Sequence, residues 1–183
     1  MTIVPDDKDW TWVLGERCPG CGVAAAEIDP ARVGTLIRYC ADRLGQLLVD
    51  EPVEALRTRP TPQQWSPLEY TCHVRDVLAL YEYRLGLMLD QDDPLFPNWD
   101  QDATAVEAAY AAQDPVAVAA ELAAVARSAA AAFDGVQPEQ LHRPGRRSDG
   151  AAFTVASFSR YFIHDPLHHL VDVGLAIDDR PAG

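Results

Sequence analysis

Lysine is nearly absent from this chain of 183 residues: it occurs once, at Lys8. Lysine and arginine together number 15, against 28 aspartate and glutamate residues. The formal net charge of -13 repels the phosphates of nucleic acids, so we expect no nucleic-acid partner. No apolar run approaches the roughly 18 to 20 residues that span a bilayer, and the start of the chain is acidic where a signal peptide is cationic. We therefore expect a cytoplasmic protein without a membrane partner.

Strand signals are nearly missing too, whereas helix signals mark four long segments. An acidic or hydroxyl residue precedes proline at Asp29, Ser66 and Asp114, a pattern that is typical of a helix start. The predicted helices cover residues 29–50, 66–90, 114–134 and 154–175, and a short extra helix is predicted over residues 104–112. The sequence thus predicts an all-α bundle with a long crossover after its second helix.

The chain divides into two regions by composition. Residues 1–28 form an arm that contains Cys18-Pro19-Gly20-Cys21, and residues 29–178 form the helical bundle. With 48% hydrophobic residues the bundle is large enough to bury its own core. Because a second cysteine pair is missing, the arm has three interpretations: a metal site shared with a symmetry mate, a disulfide, or a tight Pro-Gly turn, of which we favour the turn.

Three histidines are candidate metal ligands. His164 and His168 lie four residues apart on one helix, so their imidazoles point the same way, whereas His169 is rotated by about 100°. His73 lies on the apolar stripe of the second helix, which directs it into the core. Three neutral imidazoles leave an open position on zinc, nickel or iron, as in a catalytic site. In the alternative interpretation His73 is a satisfied core histidine and the others form a polar helix face.

A proline interrupts this histidine motif. Pro166 removes one backbone hydrogen bond, but the apolar spacing over residues 158–175 bridges it, which favours one distorted helix. Asp165 and Asp172 lie close enough in sequence to accept a hydrogen bond from the distal N–H of a ligand histidine. Asp76, three residues after His73, is a candidate for the same role. For each of these carboxylates we favour a solvated surface position, because the chain has 28 acidic residues.

A small basic cluster occupies residues 142–147 of this acidic chain. Arg146 and Arg147 are candidate substrate-binding residues, because a guanidinium group binds a carboxylate through two hydrogen bonds. In the alternative interpretation the loop is solvated and its arginines form ion pairs with neighbouring acidic residues. Trp99 in the crossover either lines the mouth of the site or anchors the loop. No catalytic residue stands out, and Asp165 and Tyr161 are candidate bases only through their closeness in sequence to the histidines.

Four segments of the sequence resemble a branch of the DinB-like superfamily found in high-GC bacteria: "WSPLEYTCHVRD", "FPNWDQDA", "GRRSDG" and "FIHDPLHH". The resemblance covers about residues 30–177. It implies a four-helix bundle in an up-down-down-up arrangement that holds a divalent metal through three histidines, which fall here on His73, His164 and His168. The Asp165-Pro166 step, the additional His169 and the cysteine-bearing arm depart from the general pattern.

The resemblance also implies a function. Relatives are thiol-dependent S-transferases or isomerases that use mycothiol, bacillithiol or glutathione, and many form homodimers; the GC-rich codon usage fits a mycothiol producer. We therefore expect a homodimeric, metal-dependent S-transferase that joins a small-molecule thiol to a small electrophile, with zinc or another divalent metal and mycothiol as cosubstrate. The alternatives are a metal-dependent hydrolase, in which water replaces the thiol, and a non-enzymatic stress-related binding module with a structural metal.

Overall fold

A computed structural model of the chain describes residues 10–178, so the first nine residues of the predicted arm lie outside the described part. Six α-helices occur in this range: α1 (Val33–Asp50), α2 (Val53–Arg57), α3 (Pro67–Asp90), α4 (Gln101–Glu107), α5 (Pro115–Asp134) and α6 (Val155–Asp172). Short 3-10 helices lie at Trp10–Leu14, Ala25–Glu27, Pro30–Arg32, Tyr110–Ala112 and Pro138–Gln140. The four long helices α1, α3, α5 and α6 are those that the sequence predicts.

The predicted helix starts are confirmed by their caps. The side chains of Asp29, Ser66 and Asp114 accept hydrogen bonds from the first backbone amides that follow, and Ser66 closes a capping box. Thr154 caps α6 in the same way, and α6 continues through Pro166 as one helix. The histidine motif therefore belongs to a single helix, as the apolar spacing predicts.

Pairs of contacts give the helix directions. Arg75 and Glu82 of α3 bond with Glu121 and Ser128 of α5, and both pairs are separated by 46 residues, so these two helices run parallel. A parallel pair of consecutive long helices needs a long crossover, which here spans residues 91–114.

The remaining directions complete the bundle. His73 lies beside Asp165, and Tyr81 stacks on Phe162, so α3 and α6 run antiparallel. An ion pair of 2.9 Å joins the start of α1 to the end of α5, which makes that pair antiparallel as well. The result is the up-down-down-up four-helix bundle, with its main apolar core between the long helices.

A small sheet that the sequence does not predict joins the two long connections. Its strands are β1 (Leu95–Phe96), β2 (Pro144–Arg147) and β3 (Ala152–Thr154); β1 pairs in parallel with β2, and β2 pairs antiparallel with β3. Strands of two to four residues carry too little periodicity for recognition. The sheet holds the crossover beside the loop that leads into α6.

Helix α5 differs from the expectation that no apolar run is long enough to span a bilayer. By length and composition alone its 20 residues, with a mean hydropathy of 1.6, meet that requirement. It packs against both α1 and α3, however, and its Glu121 forms an ion pair with Arg75. These contacts make α5 one of the four packed helices of the bundle.

Candidate metal centre

Helix α6 presents two sets of metal-ligating side chains on neighbouring faces. His164 and His168 are four residues apart and share one face; Asp165 and His169 are also four apart and share the next, because each residue advances about 100° around the helix. The first face meets the N-terminal arm and the second meets α3. The structure thus separates residues that are interleaved in the sequence.

The face toward α3 forms a group that we call the His73 cluster: His73, Asp165 and His169. One ligand atom from each side chain lies within 4.8 Å of the others. The Nε2 atom of His73 is 3.4 Å from Oδ2 of Asp165, and the Nε2 atom of His169 is 3.6 Å from the same oxygen. The carboxylate therefore stands between two imidazoles from different helices.

A further carboxylate orients His169. Oδ2 of Asp172 lies 2.7 Å from the Nδ1 atom of His169 and accepts its hydrogen bond. This bond places a proton on Nδ1, so Nε2 is the nitrogen that faces Asp165. A ligand histidine held by a carboxylate in this way is the usual arrangement around a protein-bound metal.

The electrostatics of the cluster favour a bound cation. Burial raises the pKa of Asp165, but the charges of His169 and then His73 outweigh burial and hold that pKa well below its ordinary value. Burial lowers the pKa of His169, but the charge of Asp165, together with hydrogen bonds to Asp165 and Asp172, raises it to about 9. The cluster thus attracts positive charge, and a proton on His169 supplies it when no other cation is present.

One buried polar atom of the cluster supports a metal ion more directly. Oδ1 of Asp165 makes no hydrogen bond to the described residues, although Nε2 of His73 lies 3.4 Å from it. Nδ1 of His73 also lacks a hydrogen bond among the described residues, but it points away from Asp165, because the two nitrogens of an imidazole diverge. Buried polar atoms are rarely left unsatisfied without a functional reason. Two imidazoles and one carboxylate fit zinc or iron(II), and three ligands leave coordination positions open.

Aromatic rings enclose the cluster. Trp99 stacks on His73 with 5.4 Å between ring centroids, Trp65 contacts the same imidazole edge-on at 5.3 Å, and Tyr70 lies 4.8 Å from His169. The crossover thus covers the α3 side of the site, so Trp99 both anchors the loop and borders the cluster. These rings cover the imidazoles of the cluster, whereas the side chain of Asp165 is 35% exposed and borders the cavity.

A cavity of about 510 Å³ opens beside the clusters. Asp165 and His169 form part of its wall, and Tyr161, Arg84 and Arg147 form another part. This volume lies within the range of pockets that hold small molecules, roughly 300 to 1,000 Å³.

The two candidate substrate-binding arginines have different positions. Arg147 lines the cavity, donates a hydrogen bond of 3.0 Å to the hydroxyl oxygen of Tyr161, and pairs with Asp149 at 2.7 Å. Arg146 points away and pairs with Asp93 at 2.9 Å, with about half of its side chain exposed. Of the two, Arg147 borders the cavity, and both arginines form the ion pair with a neighbouring acid that was the alternative for this loop.

The other face of α6 forms the cysteine–histidine cluster: Cys18, Cys21, His164 and His168. Their ligand atoms also lie within 4.8 Å of one another. Burial raises the pKa of Cys21 to about 12 and lowers the pKa of His164 to about 4. Without a cation, therefore, both groups are neutral at physiological pH.

The three histidines predicted as ligands do not gather in one described cluster. His164 and His168 lie together as predicted, but they face the cysteines of the arm, whereas His73 faces Asp165 and His169. The sequence contained signals for both arrangements. Asp165 and His169 have the same four-residue spacing as the histidine pair, and a Cys-x2-Cys pair with a His-x3-His pair is a known zinc-ligand pattern.

Comparisons with known proteins agree with this architecture. The sequence profile of the DinB superfamily matches residues 36–172, which is most of the chain. YfiT from Bacillus subtilis, described as a probable metal-dependent hydrolase with an unusual four-helix bundle topology, superposes with a TM-score of 0.69 at 17% sequence identity, over 77% of this chain and 82% of YfiT. No curated protein matches significantly. The profile match over most of a four-helix bundle shows that this chain belongs to the DinB superfamily.

Proposed function

We propose that this protein is a metal-dependent hydrolase of a small anionic molecule, which binds in the cavity beside the His73 cluster. The observation that carries the proposal is that one cavity joins a three-ligand cluster to a buried arginine, Arg84, and to the Arg147–Asp149 ion pair. The likeness to YfiT, a probable metal-dependent hydrolase, supports the same reaction class.

The His73 cluster would hold the metal. His73 and His169 would donate nitrogen, Asp165 would donate oxygen, and Asp172 would fix the ring of His169. A divalent metal bound there supplies Lewis acidity and lowers the pKa of a water molecule. The aromatic rings cover the imidazoles of the cluster, and Asp165 borders the cavity from which water and substrate would enter.

Arg84 explains why the substrate should be anionic. Its side chain is buried, donates a hydrogen bond of 2.6 Å to the carbonyl of Pro97, and lies over the rings of Tyr81 and Phe96. Burial lowers its pKa, as expected for a cation among neutral groups. Because these partners are neutral, a carboxylate or phosphate of the substrate would supply the missing negative charge.

Tyr161 is placed to donate a hydrogen bond to the substrate. A guanidinium has no acceptor, so the hydroxyl oxygen of Tyr161 must accept in its 3.0 Å bond with Arg147. Its own hydrogen therefore points elsewhere, and Tyr161 lines the cavity. A donor aimed at an oxygen that gains charge during hydrolysis stabilises the transition state.

The test is turnover of small carboxylate-bearing esters and amides by protein loaded with zinc, iron(II), nickel or manganese, with and without an added cysteine-derived thiol. We expect turnover without thiol, loss of turnover in His73→Ala, and a raised KM in Arg147→Met. Arg146→Met is the matched control, because it removes the neighbouring guanidinium from outside the cavity, and it should behave as the parent. Equal effects of the two arginine variants would refute the substrate-binding role of Arg147.

Thiol S-transfer with mycothiol remains the second candidate, and the volume of the cavity favours it. About 510 Å³ has room for a thiol and an electrophile together, more than a small hydrolase substrate requires. The same assay separates the reactions, because S-transfer consumes thiol in step with product and stops without it. A non-enzymatic binding module with a structural metal predicts a lower melting temperature in His73→Ala and no turnover in the parent.

A cytoplasmic location and a homodimer complete the proposal. Mycothiol and similar thiols are cytoplasmic cosubstrates, and the net charge of -13 agrees with small molecules as partners and not nucleic acid. Sedimentation of the full chain tests the dimer.

A further inference from the structure

The cysteine–histidine cluster is a separate ligand group from the His73 cluster that the proposed hydrolysis uses, although its His164 and His168 border the same cavity. It joins two residues of the arm to two residues of α6, across more than 140 positions of sequence. The spacing is Cys-x2-Cys on one side and His-x3-His on the other, which is the ligand spacing of closed Cys₂His₂ zinc sites. The arm therefore supplies the half of a zinc site that α6 lacks.

The distances within the cluster suit a tetrahedral metal. Sγ of Cys18 lies 3.5 Å from Nδ1 of His168, and Sγ of Cys21 lies 3.5 Å from Nε2 of His164. Zinc bonds of about 2.3 Å to sulfur and 2.0 to 2.1 Å to nitrogen give a sulfur-to-nitrogen edge of about 3.6 Å in a tetrahedron. Both measured edges thus agree with a shared central ion.

The loop that carries the cysteines is shaped for this approach. The backbone N–H of Cys18 bonds to the carbonyl of Val23 at 2.8 Å, and the N–H of Gly22, which has a φ of +76°, bonds to the carbonyl of Cys18 at 2.7 Å. A Cβ at Gly20 would lie 2.9 Å from Cε1 of His168, so only glycine permits the observed contact. The turn thereby brings both sulfur atoms against the histidines.

The surroundings exclude solvent from most of the ligands. The side chains of Cys18, Cys21 and His164 are buried, and both cysteines are free thiols in the structure. Oδ1 of Asp172 lies 3.7 Å from Nε2 of His168, the ring nitrogen that does not face sulfur. This distance exceeds that of a hydrogen bond, so Asp172 adds a negative charge near the cluster without holding the ring.

We propose that Cys18, Cys21, His164 and His168 bind a structural zinc ion that fastens the N-terminal arm to α6. All four ligands come from protein, so the site is closed and has no position for substrate. Fastening the arm also places Trp10, which contacts the rings of His164 and His168 at 6.0 and 5.5 Å and lines the cavity. The zinc site thus builds one wall of the cavity without taking part in its chemistry.

The test is elemental analysis and cobalt substitution of the full chain, purified without a metal-affinity tag. We expect about two metal ions per chain, and cobalt should produce the near-ultraviolet charge-transfer absorption that cobalt–sulfur bonds give. The Cys18→Ala, Cys21→Ala double variant should lose that absorption and one metal ion. His73→Ala should lose one metal ion and keep the absorption, which separates this site from the proposed hydrolase site.

A control variant distinguishes the loss of a metal ligand from a folding defect. Cys40→Ala removes a buried thiol from α1 and should keep both the metal content and the absorption. The parent protein alone can refute the proposal: metal-loaded protein without any cobalt–sulfur absorption would overturn it, and so would a Cys18–Cys21 disulfide that persists in protein purified with zinc supplied and without added oxidant. A single metal lost equally in His73→Ala and His168→Ala would instead favour the three-histidine site implied by the family resemblance.

Discussion

Replacing Asp172 by asparagine tests the arrangement of both clusters with one change of charge. Oδ2 of Asp172 accepts the 2.7 Å hydrogen bond from His169, whereas Oδ1 stands 3.7 Å from His168, beyond hydrogen-bond distance. Loss of a carboxylate that holds a ligand histidine typically weakens metal binding about 10- to 100-fold. We expect a loss of this size at the His73 cluster and a smaller one at the cysteine–histidine cluster.

Competition with a chelator, followed by cobalt absorption, measures the two affinities separately, because only the cysteine–histidine cluster offers sulfur. Asp178→Asn is the matched control: it removes the same charge six residues later, from a side chain that is 67% exposed and pairs with Arg43. An Asp172→Asn protein whose affinity at the His73 cluster changes less than twofold would refute the orienting role. An equal loss in the control would assign the effect to net charge.

The remaining predictions concern acid stability, the arm and catalysis. Burial raises the pKa of Glu69, but hydrogen bonds from Arg59 and Ser66 outweigh burial and lower that pKa below its ordinary 4.5. Glu69→Gln should therefore lower the free energy of unfolding by about 3 kcal/mol at neutral pH. In acid denaturation this difference should vanish as the pH falls through the lowered pKa, because Glu69 is then protonated in the parent as well. Gly20→Ala should weaken zinc binding by about 1–3 kcal/mol through overpacking, measured by chelator competition. Tyr161→Phe should lower kcat of the metal-loaded protein about 10²- to 10³-fold.

Two of these three variants have a matched control elsewhere in the chain. Gly45→Ala adds a methyl group where no atom lies within 4 Å, and it should leave zinc affinity unchanged. Tyr83→Phe removes a hydroxyl from an exposed ring of α3 and should keep kcat. A Glu69→Gln protein whose stability deficit persists unchanged into strong acid would contradict the charge-based explanation.

The four long helices could be predicted from the sequence because their ends carry local signals. The capping box at Ser66 and the aspartates before Pro30 and Pro115 act within a few residues, so no tertiary information is needed. The three-stranded sheet depends instead on pairing between the crossover and a loop about 50 residues later, and neither partner shows a strand pattern alone. Helix α2, with only five residues, likewise lies below the length at which periodicity is informative.

The metal clusters could be predicted only in part, for a similar reason. The helical spacing in "HDPLHH" indicates which side chains share a face, and it correctly pairs His164 with His168. It does not reveal which neighbour each face meets. That depends on the packing of the arm and of α3 around α6, which brings Cys21 to one face and His73 to the other.

The adjacent faces of α6 link the two clusters mechanically. A histidine nitrogen lies roughly 6 Å from the helix axis, so rotating α6 by about 10° moves it by about 1 Å. A displacement of about 1 Å at a reacting centre is enough to cost about 10² in rate. Zinc held between the arm and α6 would resist that rotation, because it fixes one face of the helix to the arm. A closed site with no coordination position for substrate would thus determine the orientation of His169 and Asp165 on the neighbouring face.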